Sequence, residues 1–232
     1  VLEERLHWQL GYMKWKPEDL FCLLTLHPER KDFSPDLLIL AGNQLRKLFP
    51  QTSVFTMEDH IVMVCDQEKN AMENLFAVLR EYLLVNHFAA GISLPFRRLE
   101  KLRYYHQQAL AAVSYGQREN RKSSVCDFYD YALSYIIEIS DQEALICACH
   151  PDILALAEED SKNHGDRLNT LCTYLNMERS LLNTAKALYI HRNTLVYRIT
   201  KIIDSLHYDI EDVYCRDYMK MTFRILKLFS RL

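Results

Sequence analysis

The clearest hydrophobic pattern in the chain lies near its C-terminal end, between Leu181 and Leu206. Two segments there repeat apolar residues at the spacing of one helix face. The repeated residues are Leu181, Ala185 and Leu188 in the first segment, and Leu195, Ile199, Ile202 and Leu206 in the second. The linking residues 189–192 are too few for anything but a tight corner between two packed helices. The pattern therefore predicts a helix-turn-helix whose second helix runs from Asn193 to Leu206.

The face of this second helix opposite Leu195 and Ile199 carries amide, hydroxyl, phenol and cationic groups, and no carboxylate before Asp204. Such groups can bond base edges or phosphates, and the first half of a recognition helix usually provides the base contacts. The candidate DNA-binding residues are Lys186, His191, Arg192, Asn193, Thr194, Tyr197, Arg198 and Lys201. The alternative interpretation is an ordinary amphipathic helix pair with a solvated basic face.

A compact motif adds to this interpretation. His191-Arg192-Asn193-Thr194 is followed by Tyr197-Arg198 and preceded by Thr184-Ala185-x-x-Leu188. The motif closely resembles the C-terminal helix-turn-helix of PucR/CdaR-type bacterial transcription regulators, and is also similar to the Fis-type helix-turn-helix. The resemblance covers roughly residues 166–228. Leu182 stands where that family usually carries a polar helix-starting residue, so we expect Ser180 to cap the first helix instead.

Upstream, apolar runs and turn signals alternate in the order β-α-β-β-α-β-α. We predict strands at 19–28, 52–57, 61–65 and 88–94, and helices at 35–49, 68–86 and 99–115. Ser34 is expected to cap the first of these helices, with Pro35 at its first position. The predicted fold class is α+β, with helices covering one face of a mostly antiparallel sheet and an all-α helix-turn-helix domain behind it.

This upstream block resembles the degenerate GGDEF-like domain of CdaR-type regulators, with Gly91-Ile92-Ser93 and the helix containing 108–112 as the strongest match. Active diguanylate cyclases carry a GGDEF or GGEEF loop in the central hairpin, whose glycines bring a nucleotide close to the backbone, but here the hairpin reads Met57-Glu58-Asp59-His60. Without the glycine pair a nucleotide cannot approach the backbone in this way. We therefore expect no catalytic residues, no cyclase activity and no cofactor. Glu58 and Asp59 could hold a cation, but a solvated turn is favoured, so no metal site is expected.

Polar stretches divide the chain. We predict a connector helix from a missing N-terminal region at 1–18, a degenerate GGDEF-like domain at 19–131, a helical connector at 132–165 and the helix-turn-helix domain at 166–232. The polar segment 158–165 is the preferred joint before the last of these. The first residue is Val rather than Met, so we expect sequence to be missing ahead of it. By the resemblance, an effector molecule is sensed by that missing region.

Charge is distributed unevenly. The net charge is −3, yet residues 166–232 carry 11 Lys and Arg against 7 Asp and Glu. Because this C-terminal part is basic, we expect a nucleic-acid contact there rather than in the rest of the chain. The seven cysteines are expected to be buried thiols of a reducing cytoplasm, including Cys147 and Cys149, whose spacing does not suit a zinc site. No apolar run is long enough to cross a bilayer, so we expect a cytoplasmic protein without membrane contact.

The favoured hypothesis is a sequence-specific DNA-binding transcription regulator that reads the major groove of double-stranded DNA with helix Asn193–Leu206. Palindromic operators favour a homodimer, with recognition helices about 34 Å apart or a multiple of that. Two alternatives remain open: a nucleotide-binding or cyclase-like enzyme in the N-terminal domain, and a protein-interaction module without DNA binding.

Overall fold

The computed structural model describes residues 15–16, 18–30, 33–68, 70–119 and 124–229. The chain divides into two compact units, Val1–Tyr135 and Ile136–Leu232, which we call the sheet unit and the helical unit. Of the connector helix predicted at 1–18, residues 1–14 and 17 lie outside the described residues. Within the described part of the chain, no helix is long and apolar enough to cross a membrane.

The sheet unit alternates strands and helices in the predicted order, which confirms the α+β class. Its regular elements are β1 (Phe21–Pro28), α1 (Pro35–Leu48), β2 (Thr52–Thr56), β3 (Ile61–Asp66), α2 (Met72–Asn86), β4 (Phe88–Ile92), α3 (Leu102–Arg118) and β5 (Val125–Asp127). The strands lie in the order β2-β3-β1-β4-β5. All neighbouring pairs are antiparallel except β4 and β5, which are parallel. The predicted cap is present, because the Ser34 hydroxyl accepts a hydrogen bond from the Leu37 amide at 3.3 Å.

Helices cover both faces of this sheet, so the prediction of one covered face is wrong. Leu24 and Leu26 of β1 pack in one core with Leu45 of α1 and Leu79 of α2. The alternate β1 residues, represented by Leu23, pack in a second core with residues of α3. The reason is visible in β1, whose residues 21–24 are all apolar, since a strand buried on both faces loses the apolar-polar alternation of a half-exposed strand.

Helix α3 packs very closely against β4 at Gly91. A Cβ atom on Gly91 would lie 2.0 Å from the Ala109 carbonyl oxygen and 2.9 Å from the Val113 amide nitrogen. Both neighbours are backbone atoms of α3, so a side chain cannot push them aside without moving the helix. Glycine is therefore required here by the close approach of two elements.

Several helices begin or end at residues other than the predicted ones. Helix α2 begins at Met72 rather than at 68, because the Asp66 side chain accepts a hydrogen bond from the Glu68 amide and holds a turn there. The predicted helix at 99–115 is a 3₁₀ turn, Leu99–Lys101, followed by α3, which continues to Arg118.

The segment 125–131 combines two structures. Strand β5 occupies Val125–Asp127, and a 3₁₀ turn follows at Phe128–Tyr131. The Asp127 side chain begins this turn by accepting a hydrogen bond from the Tyr129 amide at 2.8 Å. Of its three aromatic residues, Phe128 and Tyr131 are buried whereas Tyr129 is 77% exposed.

Helices follow one another from residue 132 onward. They are α4 (Ala132–Glu138), α5 (Gln142–Cys147), α6 (Pro151–Asn163), α7 (Arg167–Asn176), α8 (Leu181–Ala187), α9 (Arg192–Ile203) and α10 (Val213–Leu228). The division between the two units falls within α4. Asp141 caps α5 by accepting a hydrogen bond from the Ala144 amide at 2.7 Å.

The polar segment predicted as a joint is mostly helical, since 158–163 form the last turns of α6. Ile153 and Leu156 of α6 belong to the same buried core as α7, α8 and α9. The Asp160 carboxylate also accepts a hydrogen bond from the Leu168 amide at 2.7 Å, which ties the end of α6 to the start of α7. The functional domain boundaries at 131 and 165 stay predictions.

The last helix, α10, is buried along two sides. Cys215, Met219, Phe223 and Leu226 pack in the helical core. Ile225 is buried in a smaller cluster against which Leu228 and Phe229 pack, whereas Met221 is 40% exposed. Five of the seven free cysteines are buried, but Cys147 is exposed, which corrects its predicted place in the core.

Candidate nucleic-acid interface

Helices α8 and α9 meet at a corner that the backbone closes without glycine. The Ser180 hydroxyl caps α8 by accepting a hydrogen bond from the Asn183 amide at 3.3 Å. At the other end Tyr189 takes a left-handed conformation with φ 53°. The Ile190 amide then donates to the Ala185 carbonyl at 3.0 Å, which closes the turn. The direction of α9 relative to α8 is thus set by local hydrogen bonds.

One side of α9 is fixed in the helical core. Leu195 is fully buried, and Ile199 and Ile202 are at most 4% exposed. These residues pack in the cluster that also contains Leu171 of α7 and Ala185 of α8. Burial of three aliphatic side chains on one helix stabilises its position by several kcal/mol, at roughly 1.5–3 kcal/mol for each side chain. The opposite side is therefore presented outward on a firmly held helix.

The start of α9 is organised by His191. The helix begins at Arg192 rather than at Asn193, and it ends at Ile203 rather than at Leu206. The Nδ1 atom of His191 accepts a hydrogen bond from the Asn193 amide at 3.2 Å. An accepting Nδ1 leaves the proton of the ring on Nε2, which is directed away from the helix as a donor. His191 is therefore both a helix cap and a donor at the end of the helix that carries partial positive charge.

None of the predicted site residues is buried. Seven of them are exposed and Arg198 is half-buried; the exposed ones are Lys186, His191, Arg192, Asn193, Thr194, Tyr197 and Lys201. The Nζ atom of Lys201 lies 5.9 Å from the centre of the Tyr197 ring, one turn away on the same face. Arg198 Nη1 lies 3.3 Å from Asp166 Oδ2, so its guanidinium is held at the flank of the face. We call these eight residues the α9 face.

Sequence reasoning missed one residue of this surface. Tyr189 is 95% exposed at the corner between α8 and α9. The apolar repeat placed it next to Leu188 at the end of a helix, whereas the structure turns it outward in the left-handed conformation. A phenol hydroxyl so displayed can donate to a phosphate. The signal available in the sequence was its place in a link too short to bury an aromatic side chain.

A buried carboxylate supports the loop that follows α9. Asp152 of α6 is 4% exposed. It accepts hydrogen bonds from the amides of His207 and Tyr208 at 2.9 and 3.1 Å, and from His207 Nδ1 at 2.8 Å. Burial acts to raise the pKa of Asp152, but these hydrogen bonds outweigh burial and hold its pKa below the usual value. The carboxylate is thus kept charged and anchors the chain behind the α9 face.

Two family models match the chain. The PucR C-terminal helix-turn-helix domain matches residues 168–216, which include the whole of α8 and α9. The GGDEF-like domain matches residues 2–115, which contain the sheet unit from β1 to most of α3. The two matches fall in different units and together cover most of the chain.

Named relatives match as well. The proline-responsive transcriptional activator PutR of Bacillus subtilis (strain 168) is 24% identical over 90% of this chain and 54% of its own length. The purine catabolism regulatory protein of the same organism is 33% identical over 33% of this chain and 14% of its own length. The chain thus spans about half of the first relative and less of the second. A solved structure, the regulator of polyketide synthase expression from Bifidobacterium adolescentis, is 17% identical, with a TM-score of 0.42 over 98% of this chain and 88% of that one.

Proposed function

This chain carries the two domains of a PucR/CdaR-type transcription regulator, the GGDEF-like domain and the PucR C-terminal helix-turn-helix, and we propose that it binds specific double-stranded DNA sequences and thereby regulates transcription. The observation that carries the proposal is the α9 face, which sets amide, hydroxyl and cationic groups outward above buried Leu195, Ile199 and Ile202. Both named relatives are described as regulators, which supports the same function.

Within this proposal the residues of the α9 face have different roles. Asn193 and Arg192, at the start of α9, enter the major groove, where an amide can pair with adenine and a guanidinium with guanine. Lys186, Tyr197 and Lys201 contact phosphates and position the helix without reading sequence. His191 Nε2 donates to a phosphate near the helix start, where the helix dipole also favours an anion. Thr194 contacts a base edge or methyl group, and Arg198 a flanking phosphate.

We propose that the protein binds as a homodimer. A helix-turn-helix of this size reads only a few base pairs, and two copies related by a two-fold axis double the length of the site. The two α9 helices would then lie about 34 Å apart, or a multiple of that distance. Sedimentation of the full chain with a bound duplex measures this: two chains per duplex supports the dimer, and one chain per duplex contradicts it.

We propose further that the sheet unit is not a nucleotide cyclase. The β2–β3 hairpin, residues 57–60, contains no glycine, so a nucleotide cannot approach its backbone closely. The side chain of His60 in this hairpin is buried. Incubating the full chain with nucleoside triphosphates and Mg²⁺ or Mn²⁺, with analysis of the products, tests this. A cyclic or linear dinucleotide product would overturn it.

The central experiment is selection of bound sequences from random duplex DNA with the full chain, followed by titration of the enriched duplex. We expect enrichment of a two-fold symmetric sequence and tighter binding to it than to a scrambled duplex. Lys162→Ala is a matched control, because Lys162 is an exposed lysine of α6 that pairs with Glu158 and does not belong to the eight residues of the α9 face. The control should bind as the unaltered chain does, and failure to enrich any sequence would count against the proposal.

A further inference from the structure

Three histidines meet at one end of the sheet unit. In the antiparallel register of β1 and β3, Leu26 lies opposite Ile61. The next residue on each side is a histidine, and the rings of His27 and His60 stack with their centres 4.8 Å apart at an angle of 10°. His106 of α3 lies beside them, with its Nε2 atom 2.9 Å from His60 Nε2. Register and helix packing thus bring together residues that are far apart along the chain.

A carboxylate completes the group. Asp59, in the β2–β3 hairpin, places its Oδ1 atom 2.6 Å from His60 Nδ1. One possible ligand atom from each of His27, Asp59 and His60 lies within 4.8 Å of the other two. Asp59 is exposed whereas His60 is buried, so the group has one side open to solvent and one side within the protein.

One atom of this group lacks a hydrogen-bond partner. The Nε2 atom of His27 is buried, and among the described residues it makes no hydrogen bond. A buried ring nitrogen without a partner costs free energy, which a ligand at this position would recover. Both nitrogens of His60, by contrast, have partners on opposite edges of its ring, Asp59 at Nδ1 and His106 at Nε2.

We propose that His27, His60 and Asp59 bind a divalent transition-metal ion of the Zn²⁺, Co²⁺ or Ni²⁺ class. Imidazole nitrogens suit these ions and disfavour Mg²⁺ and Ca²⁺, which prefer oxygen ligands. Two imidazoles and one carboxylate leave the exposed side of the ion to water. Nitrogen–zinc bonds are about 2.0–2.1 Å long, so neighbouring ligand atoms lie about 3.4 Å apart in a tetrahedral site. Binding therefore moves Asp59 Oδ1 and His60 Nδ1 slightly apart and tilts the stacked His27 ring toward the ion.

His106 orients His60 in this site. With Nδ1 on the metal, the His60 ring carries its proton on Nε2 and donates a hydrogen bond to His106 Nε2. Such partners of a metal-binding histidine fix its tautomer and ring orientation, and their loss typically weakens binding about 10–100-fold.

This site lies in the sheet unit and the α9 face lies in the helical unit, so the metal and DNA proposals can fail independently. The proposal departs from the sequence-based expectation of no metal site.

The test is titration of the full chain, freed of any histidine tag and of metal, with Zn²⁺ by calorimetry and with Co²⁺ by visible absorption. We expect one ion per chain, with d–d bands typical of mixed nitrogen and oxygen ligands. His27→Gln and Asp59→Asn should each weaken binding at least 10-fold, and His106→Gln about 10–100-fold. Since the Asp59 side chain is 81% exposed, Asp59→Asn keeps the fold even if His27→Gln does not.

His87→Gln is the matched control, because His87 is another histidine of the sheet unit and is not one of the proposed ligands. Its Nδ1 atom lies 4.0 Å from Glu29 Oε2. It should bind metal as the unaltered chain does. The proposal is overturned if the chain binds neither ion, or if Asp59→Asn and a folded His27→Gln bind as tightly as His87→Gln.

Discussion

The helical unit and the sheet unit assemble their candidate sites in opposite ways. The α9 face comes from residues 186–201, one stretch of chain whose geometry follows from helix periodicity and two caps. The histidine group of the sheet unit comes from β1, the β2–β3 hairpin and α3, and it depends on strand register and on how closely α3 approaches the sheet. A locally coded surface can be recognised from sequence, whereas a site made by long-range packing cannot.

The sharpest way to disturb the long-range arrangement is Gly91→Ala. The added Cβ would collide with backbone atoms of α3, and we expect a loss of about 3 kcal/mol in the free energy of unfolding, at the upper end for overpacking. Hydrogen exchange should show the loss in β4 and α3. Gly42→Ala is the control, because the three atoms nearest to its new Cβ all belong to side chains, with the Thr56 hydroxyl oxygen the nearest at 2.5 Å. Equal protection in both variants would contradict the close-packing interpretation.

The helical unit has a long-range support of its own in Asp152. Asp152→Ala removes the acceptor of two backbone amides and one imidazole, and we expect a loss of about 2–3 kcal/mol, because those amides lose a buried partner. Hydrogen exchange at 207–208 and in the neighbouring turns of α9 should report it. Asp152→Asn retains one carbonyl acceptor and should lose less. If the alanine variant is as stable as the asparagine variant, the carboxylate does not anchor this loop.

Asn193→Ala tests the locally coded surface without disturbing the core, because its side chain is exposed. We expect binding to the selected duplex to weaken by about 1–3 kcal/mol while binding to scrambled DNA is nearly unchanged, since an amide that reads a base contributes only at its own sequence. Asn176→Ala, at the exposed end of α7, is the control and should leave both affinities unchanged. Equal weakening on both duplexes would assign Asn193 to the phosphates instead.

The smallest expected effect is a pH dependence of the helical unit. The folded-state pKa of Asp152 is held below its usual value, which is about 3.9 for an unfolded chain. The stabilisation is therefore fully present above about pH 4 and is lost as pH falls through the lower folded-state pKa. Denaturant titrations between pH 3 and 7 should show Asp152→Asn losing less stability in acid than the unaltered chain. Parallel pH profiles would mean that another carboxylate governs acid unfolding.

Sequence reasoning succeeded where local rules decide the structure. Ser34 and Ser180 cap the helices they were predicted to cap, and the β2–β3 hairpin lies where its turn residues placed it. It failed where distant elements decide. Whether one or both faces of the sheet are covered depends on the position of α3, which packs against the second face. His27 and His60 become neighbours only once the register of β1 and β3 is known.

The most direct test of the central claim is the salt dependence of binding to the selected duplex by the full chain and by Lys201→Ala. Each phosphate neutralised contributes about −0.9 to the slope of log Kobs against log salt concentration. We predict a steep slope for the unaltered chain and a slope shallower by about one for Lys201→Ala, with sequence preference retained. Identical slopes for the two proteins, or binding that does not respond to salt, would contradict the assignment of the α9 face to DNA.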